Sequence, residues 1–496
     1  FSSSVENIQI QRGVGTSTNG ASAFGASVNL QTDGLRKDAY LTTNNTVGSF
    51  ATLKNNIEFG TGLLNNKFAF DGRLSKISSD GYMDRATSNL KSLYLQGTYF
   101  GESSIIKALM FTGHERTYQA WYGIPINYLD TSRAFNPYTY DNEVDDYEQT
   151  HYQLHYSKQM SETTNYNIAA HYTHGEGYYE QEKLGEDLVD YGLENIILSS
   201  DTITSTNLIR RKWLNNDFAG LTFSLTHKMG NIDLILGGAG NRYSGQHYGN
   251  IIWTQYASNA NFNHLYYWNK AEKLDHNFYV KANYKYSDAT NLYADLQRRR
   301  IDYTFQGKDE DGNTAQQEVA LTFFNPKFGL FHMLNENQAI YASFAVANKE
   351  PNRNDYVEST PNSRPEHETL YDTEVGYKQS GEKLSLGINI YQMNYKNQLV
   401  LTGQINDVGA NTRTNIDKSF RRGVELEGSL SLGSNLKWSG NMTLSQNKIT
   451  NYTAYIDNWD NGGQEKVDYG NTDLAFSPSV IWASQFMLKL NAKIHV

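Results

Sequence analysis

The chain contains no cysteine, and only 7 of its 496 residues are proline. Without cysteine there is neither a disulfide framework nor a thiolate metal site. No run of about 18 apolar residues exists, so no helix of this sequence can cross a membrane. There is no long Lys/Arg block and the formal net charge is -10, which argues against nucleic acid as the main partner. No Pro- or Ser-rich linker divides the chain, as several soluble domains of this total length would require. Fixed-period repeats are missing too, as are a Gly-x-Ser-x-Gly elbow, a P-loop and a His-Glu-x-x-His pair; His114-Glu115 lacks the second histidine. The sequence therefore predicts neither an enzyme nor a resident cofactor. Aromatic residues, in contrast, are abundant: 36 Tyr, 22 Phe and 7 Trp, or 13% of the chain against 39% apolar residues in all. That is too aromatic for disorder. It suits one large all-β object whose apolar face takes only every second residue, as in a transmembrane barrel.

Alternation of period two, the mark of strands, recurs along the chain. From Leu436 to Ser445 one face reads Leu436, Trp438, Gly440, Met442, Leu444 and the other Lys437, Ser439, Asn441, Thr443, Ser445. Phe278 to Tyr286 and Gly423 to Leu432 behave alike, the latter setting Val424, Leu426, Leu430 and Leu432 against Glu425, Glu427, Ser429 and Ser431. About eighteen such segments are countable between residues 39 and 489, the last over 474–489. A partial further strand is expected at Lys493-Ile494-His495-Val496. Short turns such as Leu64-Asn65-Asn66-Lys67, Met229-Gly230-Asn231 and Asn335-Glu336-Asn337 alternate with longer loops near 79–89, 115–149, 176–212, 244–272, 306–316, 349–366, 398–412 and 450–473. Only Gly48-Ser49-Phe50 breaks the rhythm. Strict alternation of short and long connections predicts an up-and-down antiparallel β-barrel with its tight turns at the periplasmic rim and its loops outside. So many strands leave a wide lumen, which at about 22 strands is plugged.

Residues 1–32 do not fit the barrel pattern. A short strand carrying Ile8 and Ile10 runs into Arg12-Gly13 and a Gly/Ser/Thr/Asn loop, and a second strand ends at Leu30. This stretch resembles the closing part of the plug domain of TonB-dependent outer-membrane receptors. Val5, Glu6, Ile8, Ile10, Arg12 and Gly13 match the first half of that family's pattern, and Ala23, Gly25 and Asn29 match the second. Gly423-Val424-Glu425-Leu426-Glu427 and Glu374-Val375-Gly376-Tyr377-Lys378 are similar to two of its barrel strands. The resemblance spans nearly the whole chain. It implies a 22-stranded barrel (39–496 here, lacking its last strands, so that two strand edges stay unpaired), with 1–32 as the end of the plug. It also implies a place in the outer membrane of a Gram-negative cell, and import of an extracellular ligand powered by the inner-membrane TonB complex. Ferric siderophore is the expected cargo, haem or cobalamin the alternatives; a passive porin or adhesin barrel is the rival reading.

The same resemblance implies a latch between plug and barrel: Arg12 against Glu374 and Glu425, with Glu427 on the same inward face. Taken without it, these carboxylates line a wet lumen. In the outer loops Tyr118, Trp121, Tyr122, Trp253 and Trp268, with Arg299 and Arg353 for charge, are candidates to hold a bulky anionic ligand. Histidine offers less. His151 and His155 stand ~13 Å apart along a strand, and His171 and His174 face opposite ways; His174, His247 and His264 read as satisfied or solvated imidazoles ahead of haem contacts. Asp309-Glu310-Asp311-Gly312-Asn313 lacks the later acidic positions of a calcium loop and reads as a solvated turn.

Overall fold

The computed structural model describes residues 5–20, 23–32, 34, 36–310, 312, 314, 316–359, 364–405, 411–460 and 462–489. Strands β1 (Val5–Arg12) and β2 (Ala26–Thr32) pair only with each other. The chain then runs up and down through β3 (Tyr40–Gly48), β4 (Thr52–Gly60), β5 (Phe68–Ser79), β6 (Ser88–Phe100), β7 (Ser104–Tyr118), β8 (Val144–Gln159) and β9 (Thr164–Asp187). A small outer hairpin follows, β10 (Ile196–Leu198) with β11 (Asp201–Ile203). Next come β12 (Ser205–Met229), β13 (Ile232–Thr254), β14 (His264–Lys285), β15 (Thr290–Lys308), β16 (Gln317–Asn335) and β17 (Gln338–Lys349). After a short helix, α1 (Arg353–Val357), the wall resumes with β18 (Glu368–Gln379), β19 (Leu384–Ile405), β20 (Asn411–Ser431), β21 (Leu436–Asp457), β22 (Gln464–Asp473) and β23 (Val480–Leu488).

Strands β3 to β9 and β12 to β23, 19 in all, form one closed antiparallel barrel in chain order. Alternation sorts its side chains as the sequence predicts. Leu292, Leu296, Phe324, Phe328, Phe344, Val375, Leu426 and Leu444 are exposed on the outside, where lipid covers them. Asp295, Gln297 and Arg299 are buried on the inside. Among the described residues no helix is long and apolar enough to span a membrane; the crossing is made by strands.

Three features depart from the sequence reading. Several strands run further outward than expected: β9 reaches Asp187, β12 begins at Ser205, β13 reaches Thr254 and β14 begins at His264. Above the lipid both faces meet water, so the apolar alternation fades while the backbone ladder continues. The segment expected over 474–489 becomes strand only from Val480, and Gln464–Asp473, expected within the 450–473 loop, forms β22. β22 pairs with the outer half of β21 and β23 with its inner half, and the gap between them holds Pro478, which has no N–H for a ladder. Finally, the strand order brings β23 next to β3, where the sequence left two open edges. β23 is exposed throughout and β3 almost so, making this seam the thinnest part of the wall. The strand expected at Lys493-Ile494-His495-Val496 lies outside the described residues, as do Asp311 and Asn313 of the acidic turn and residues 406–410 of the 398–412 loop.

Phe328 faces Phe344 across β16 and β17 on the outer surface. Phe328→Arg is expected to cost about 2–4 kcal/mol of folding free energy in lipid vesicles, measured by urea titration. A cost of about 0–1 kcal/mol would place that face outside the apolar core of the membrane.

Candidate functional site

The loop joining β1 to β2 lies inside the barrel, fixed to its wall at several points. Arg12, the last residue of β1, donates from Nη1 to Glu425 Oε1 at 2.9 Å. Asn389 links Glu425 to Glu374, donating to them at 3.4 and 3.1 Å. Glu427, two positions further along β20 toward the tight-turn rim, stands beside Gly387. Gly13 follows at φ +70°, and a Cβ there would sit 2.8 Å from Glu374 Oε1 and 3.0 Å from Asp372 Oδ2. Only glycine allows this backbone conformation and this approach together. The Val14 N–H then donates to Asp372 Oδ2 at 3.3 Å.

A deeper anchor follows at the one-turn 3-10 helix Ser17–Asn19, capped by the Thr16 side chain. Ser17 gives its N–H to Asp295 Oδ2 at 2.8 Å and its hydroxyl to Oδ1 at 2.5 Å. Tyr293 donates to the same carboxylate at 2.8 Å, and Lys327 donates to Ser17 Oγ at 2.9 Å. Asp295 is fully buried and Lys327 nearly so. A buried carboxylate with this many donors is well satisfied. The Arg12 side chain, in contrast, is 69% exposed, so the Arg12–Glu425 pair is open to water and individually weak. Phe24 completes the docking, tilted against Tyr395 at 6.1 Å with Lys349 over its ring.

Arg299 faces inward as parity requires, but it is 1% exposed and enclosed by acids. Its guanidinium donates to both oxygens of Asp275, at 2.6 to 3.2 Å, and to both of Glu350, at 2.9 and 3.0 Å. Lys273 also pairs with Glu350. Burial alone would raise the Glu350 carboxyl, yet Arg299 and Lys273 hold it at about 2. The arginine expected to meet a ligand thus ties β14, β15 and the 350–352 turn together.

Arg353 is placed differently. At the start of α1 it donates to Gly245 O at 3.5 Å and to Asn269 Oδ1. Tyr243, Tyr267, Tyr303 and His247 surround it. Burial depresses its guanidinium below the ordinary value, and among the described residues no carboxylate pairs with it. A half-buried cation met only by neutral acceptors is incompletely compensated. The helix holds it there through the Asn352–Asp355 capping box, the Asp355–Arg413 pair at 2.6 and 2.7 Å, and Tyr356 and Val357 packed on Ile301, Phe305 and Phe323.

The aromatic candidates divide. Trp121 and Tyr122 are 53% and 62% exposed, Trp121 meeting Tyr179 edge-on at 5.3 Å and Tyr122 lying 5.2 Å from Tyr138. Trp253 is exposed at the outer end of β13. Tyr118 is buried under its own loop, donating to Tyr140 O at 2.7 Å. Trp268 lies on the outer wall, opposite Tyr248 and donating to Gln246. Its loop neighbours hold the 119–143 segment firmly: Gln119 donates to Val144 O and Glu180 O, and Glu143 Oε2 accepts from the Glu182 N–H at 3.0 Å. Burial pushes the Glu143 carboxyl up to about 7, and its Oε1 is left without a partner. Of the histidines, His174 is bound to Asp217 and His264 to Tyr191 O. Among the described residues no three acids or histidines converge to hold a metal ion.

The sequence matches the family model described as TonB dependent receptor-like, beta-barrel, over residues 111–482. No curated protein matches it. Among solved structures it is similar to the ferric-catecholate import receptor Fiu of E. coli K12 in its closed form, at 13% identity over 99% of this chain and 75% of that one, with a TM-score of 0.72. It is similar to the siderophore receptor PiuA of Acinetobacter baumannii, at 12% identity over 100% and 76%, TM-score 0.76. It is also similar to P. aeruginosa FpvA bound to a heterologous pyoverdine, at 12% identity over 100% and 71%, TM-score 0.68. At such identities the likeness establishes the fold.

Asp295→Asn keeps the shape of the deep anchor and removes its charge. It is expected to weaken loop docking by about 1–3 kcal/mol, read as faster amide hydrogen exchange at Val14–Asn19 with the barrel strands unchanged. Glu143, protonated more readily folded than unfolded, favours the folded loop at low pH. That contribution is lost as pH rises from about 4, its unfolded value, through about 7. Limited proteolysis of 119–143 is therefore expected to quicken between these limits, and Glu143→Gln to abolish the change.

Proposed function

The chain belongs to the TonB-dependent receptors, a family of outer-membrane barrels, and from that premise we propose that it takes up a ferric siderophore across the outer membrane of a Gram-negative cell. The observation that carries the cargo is the cluster of tyrosines around Arg353. Three tyrosines and a half-buried cation that no carboxylate among the described residues pairs with suit a ligand that is bulky, partly aromatic and negatively charged, as an iron catecholate complex is. Trp121 and Tyr122, exposed on the 119–143 loop, and Trp253 add apolar surface at the mouth.

Energy for import comes from the inner-membrane TonB complex, since a barrel without a nucleotide site cannot drive uphill transport. In this reading the β1–β2 segment is the end of the plug, and Arg12 with Glu425, Glu374 and Glu427 is its latch. Arg12–Glu425, wet and single, opens at low cost; Ser17 in its buried pocket holds the loop more firmly. Haem is the second reading, favoured by His247, whose half-buried imidazole stands near Arg353.

Titration of the purified protein with a ferric triscatecholate, a ferric trihydroxamate, haem and cobalamin, followed by tryptophan quenching, decides among these. The catecholate is expected to bind tightest, and Arg353→Gln to weaken it about tenfold or more, a loss of about 1.4 kcal/mol. Tighter binding of haem, abolished by His247→Ala, would establish the second reading. Binding of none of the four would overturn the proposed cargo.

A further inference from the structure

The outer surface of the tallest strands changes sign of charge across one line. Above the lipid-facing run, the first polar residue is Asp217 on β12, Arg242 on β13, His276 on β14 and Arg298 on β15. Along the ladders this limit steps down from strand to strand, as a level line must where strands tilt by about 35–45°. These groups therefore stand at one height. On the other flank Glu176 on β9 and Glu148 on β8 continue the band. Acids thus occupy β8, β9 and β12, bases β13, β14 and β15, and the boundary runs between β12 and β13. Both halves are incompletely satisfied. Glu148 lies directly opposite Glu176, a like-charge pair that repels across the ladder. Asp217 is 48% exposed. Arg242 is 63% exposed and reaches Glu272 at only 3.4 Å, sharing that acid with Lys270. Among the described residues no carboxylate pairs with Arg298.

At the boundary the wall is also smooth. Ala219 sits opposite Arg242, and Gly240 opposite Leu221; a Cβ on Gly240 would meet nothing within 4 Å. A surface acidic on one side of a line and basic on the other is complementary to itself under a two-fold rotation about that line. We propose that this face pairs with the same face of a second copy of the chain, about an axis along the membrane normal between β12 and β13. Asp217 of each copy then faces Arg242 of the other, Glu176 faces His276, and Glu148 faces Arg298. Convex walls part away from the axis, and Glu148 and Arg298, farthest out at ~12 Å, are long enough to bridge the widening gap. Ala219 and Gly240 let the two backbones approach where the walls are closest. Opposite charges meeting in this order fix the register of the pair and exclude others. The inference depends on the barrel spanning a membrane and not on which cargo it carries.

The absence of cysteine makes a direct test available. Gly240→Cys places one thiol less than a strand spacing, about 5 Å, from the axis, within reach of its copy for a disulfide. Outer membranes carrying the full-length protein are oxidised with copper phenanthroline, and dimer is read on non-reducing gels. Gly240→Cys is expected to give dimer, and Ala342→Cys, outward on β17 opposite Leu330, to give none. Adding Arg242→Glu to Gly240→Cys is expected to lower the initial cross-linking rate about tenfold or more. Adding Asp217→Arg as well is expected to restore it, which separates repulsion between copies from failure to fold. No dimer from Gly240→Cys, equal dimer from Ala342→Cys, an unchanged rate with Arg242→Glu, or no recovery in the charge-swapped variant would each overturn the proposal.

Discussion

Lipid offers no hydrogen-bond partner, so every backbone N–H and C=O within the apolar band must be met by a neighbouring strand. That single requirement organises this molecule. It sets β3 to β9 and β12 to β21 side by side in chain order, with β22 and β23 both along β21, and it sends alternate side chains to two solvents at once. The apolar residues of the membrane band face lipid, and the opposite register, with Asp295, Arg299, Glu374 and Glu425, faces a lumen. There the same charges become useful as fastenings for a loop that has no ladder of its own to join.

The lumen uses them at two strengths. Near β20 the attachment is a solvent-washed ion pair, whose worth is small. At β15 and β16 it is a dry knot of serine, aspartate, tyrosine and lysine, in which each member would be left unsatisfied by the loss of another. A third cluster, Arg299 with Asp275 and Glu350, fastens no loop of the lumen but locks the wall to the turn that leads into α1. Buried ion pairs of this sort specify geometry more securely than they add stability. The result is a helix that presents Arg353 in one orientation.

Much of this was legible before any coordinates, and for identifiable reasons. Period-two alternation marked the strands wherever one face meets lipid, and the tight turns marked the inner rim. Where β9, β12, β13 and β14 rise into water the contrast between faces vanishes, and their upper halves read as loops. Residues 474–479 read as strand because alternation is blind to the missing N–H of Pro478. Parity put Arg299 on the right face. It could not reveal Asp275 and Glu350, which lie 24 and 51 positions away in sequence. Parity also carried the warning about Trp268, which shares the outward register of Lys270 and Glu272. The Arg12–Glu425 contact was foreseeable from family likeness alone. Ser17 gave no signal, being one small polar residue among many in its loop; a buried acid on a lumen face announces a partner but not which one.

The unequal lengths of the strands have a consequence for how anything reaches this protein. β3 and β4 have 9 residues each, whereas β12 has 25 and β13 has 23. With the inner rim level, a tilt of about 45° turns that difference into roughly 35–40 Å of height. The opening is therefore slanted like a scoop, low beside the β3–β4 turn and backed by a tall screen on the opposite flank. A solute skimming the cell surface clears the low lip without obstruction and runs into the screen, whose inner side bears the tyrosines around Arg353. Arrival by sliding along the surface is thus as direct a route as arrival from above.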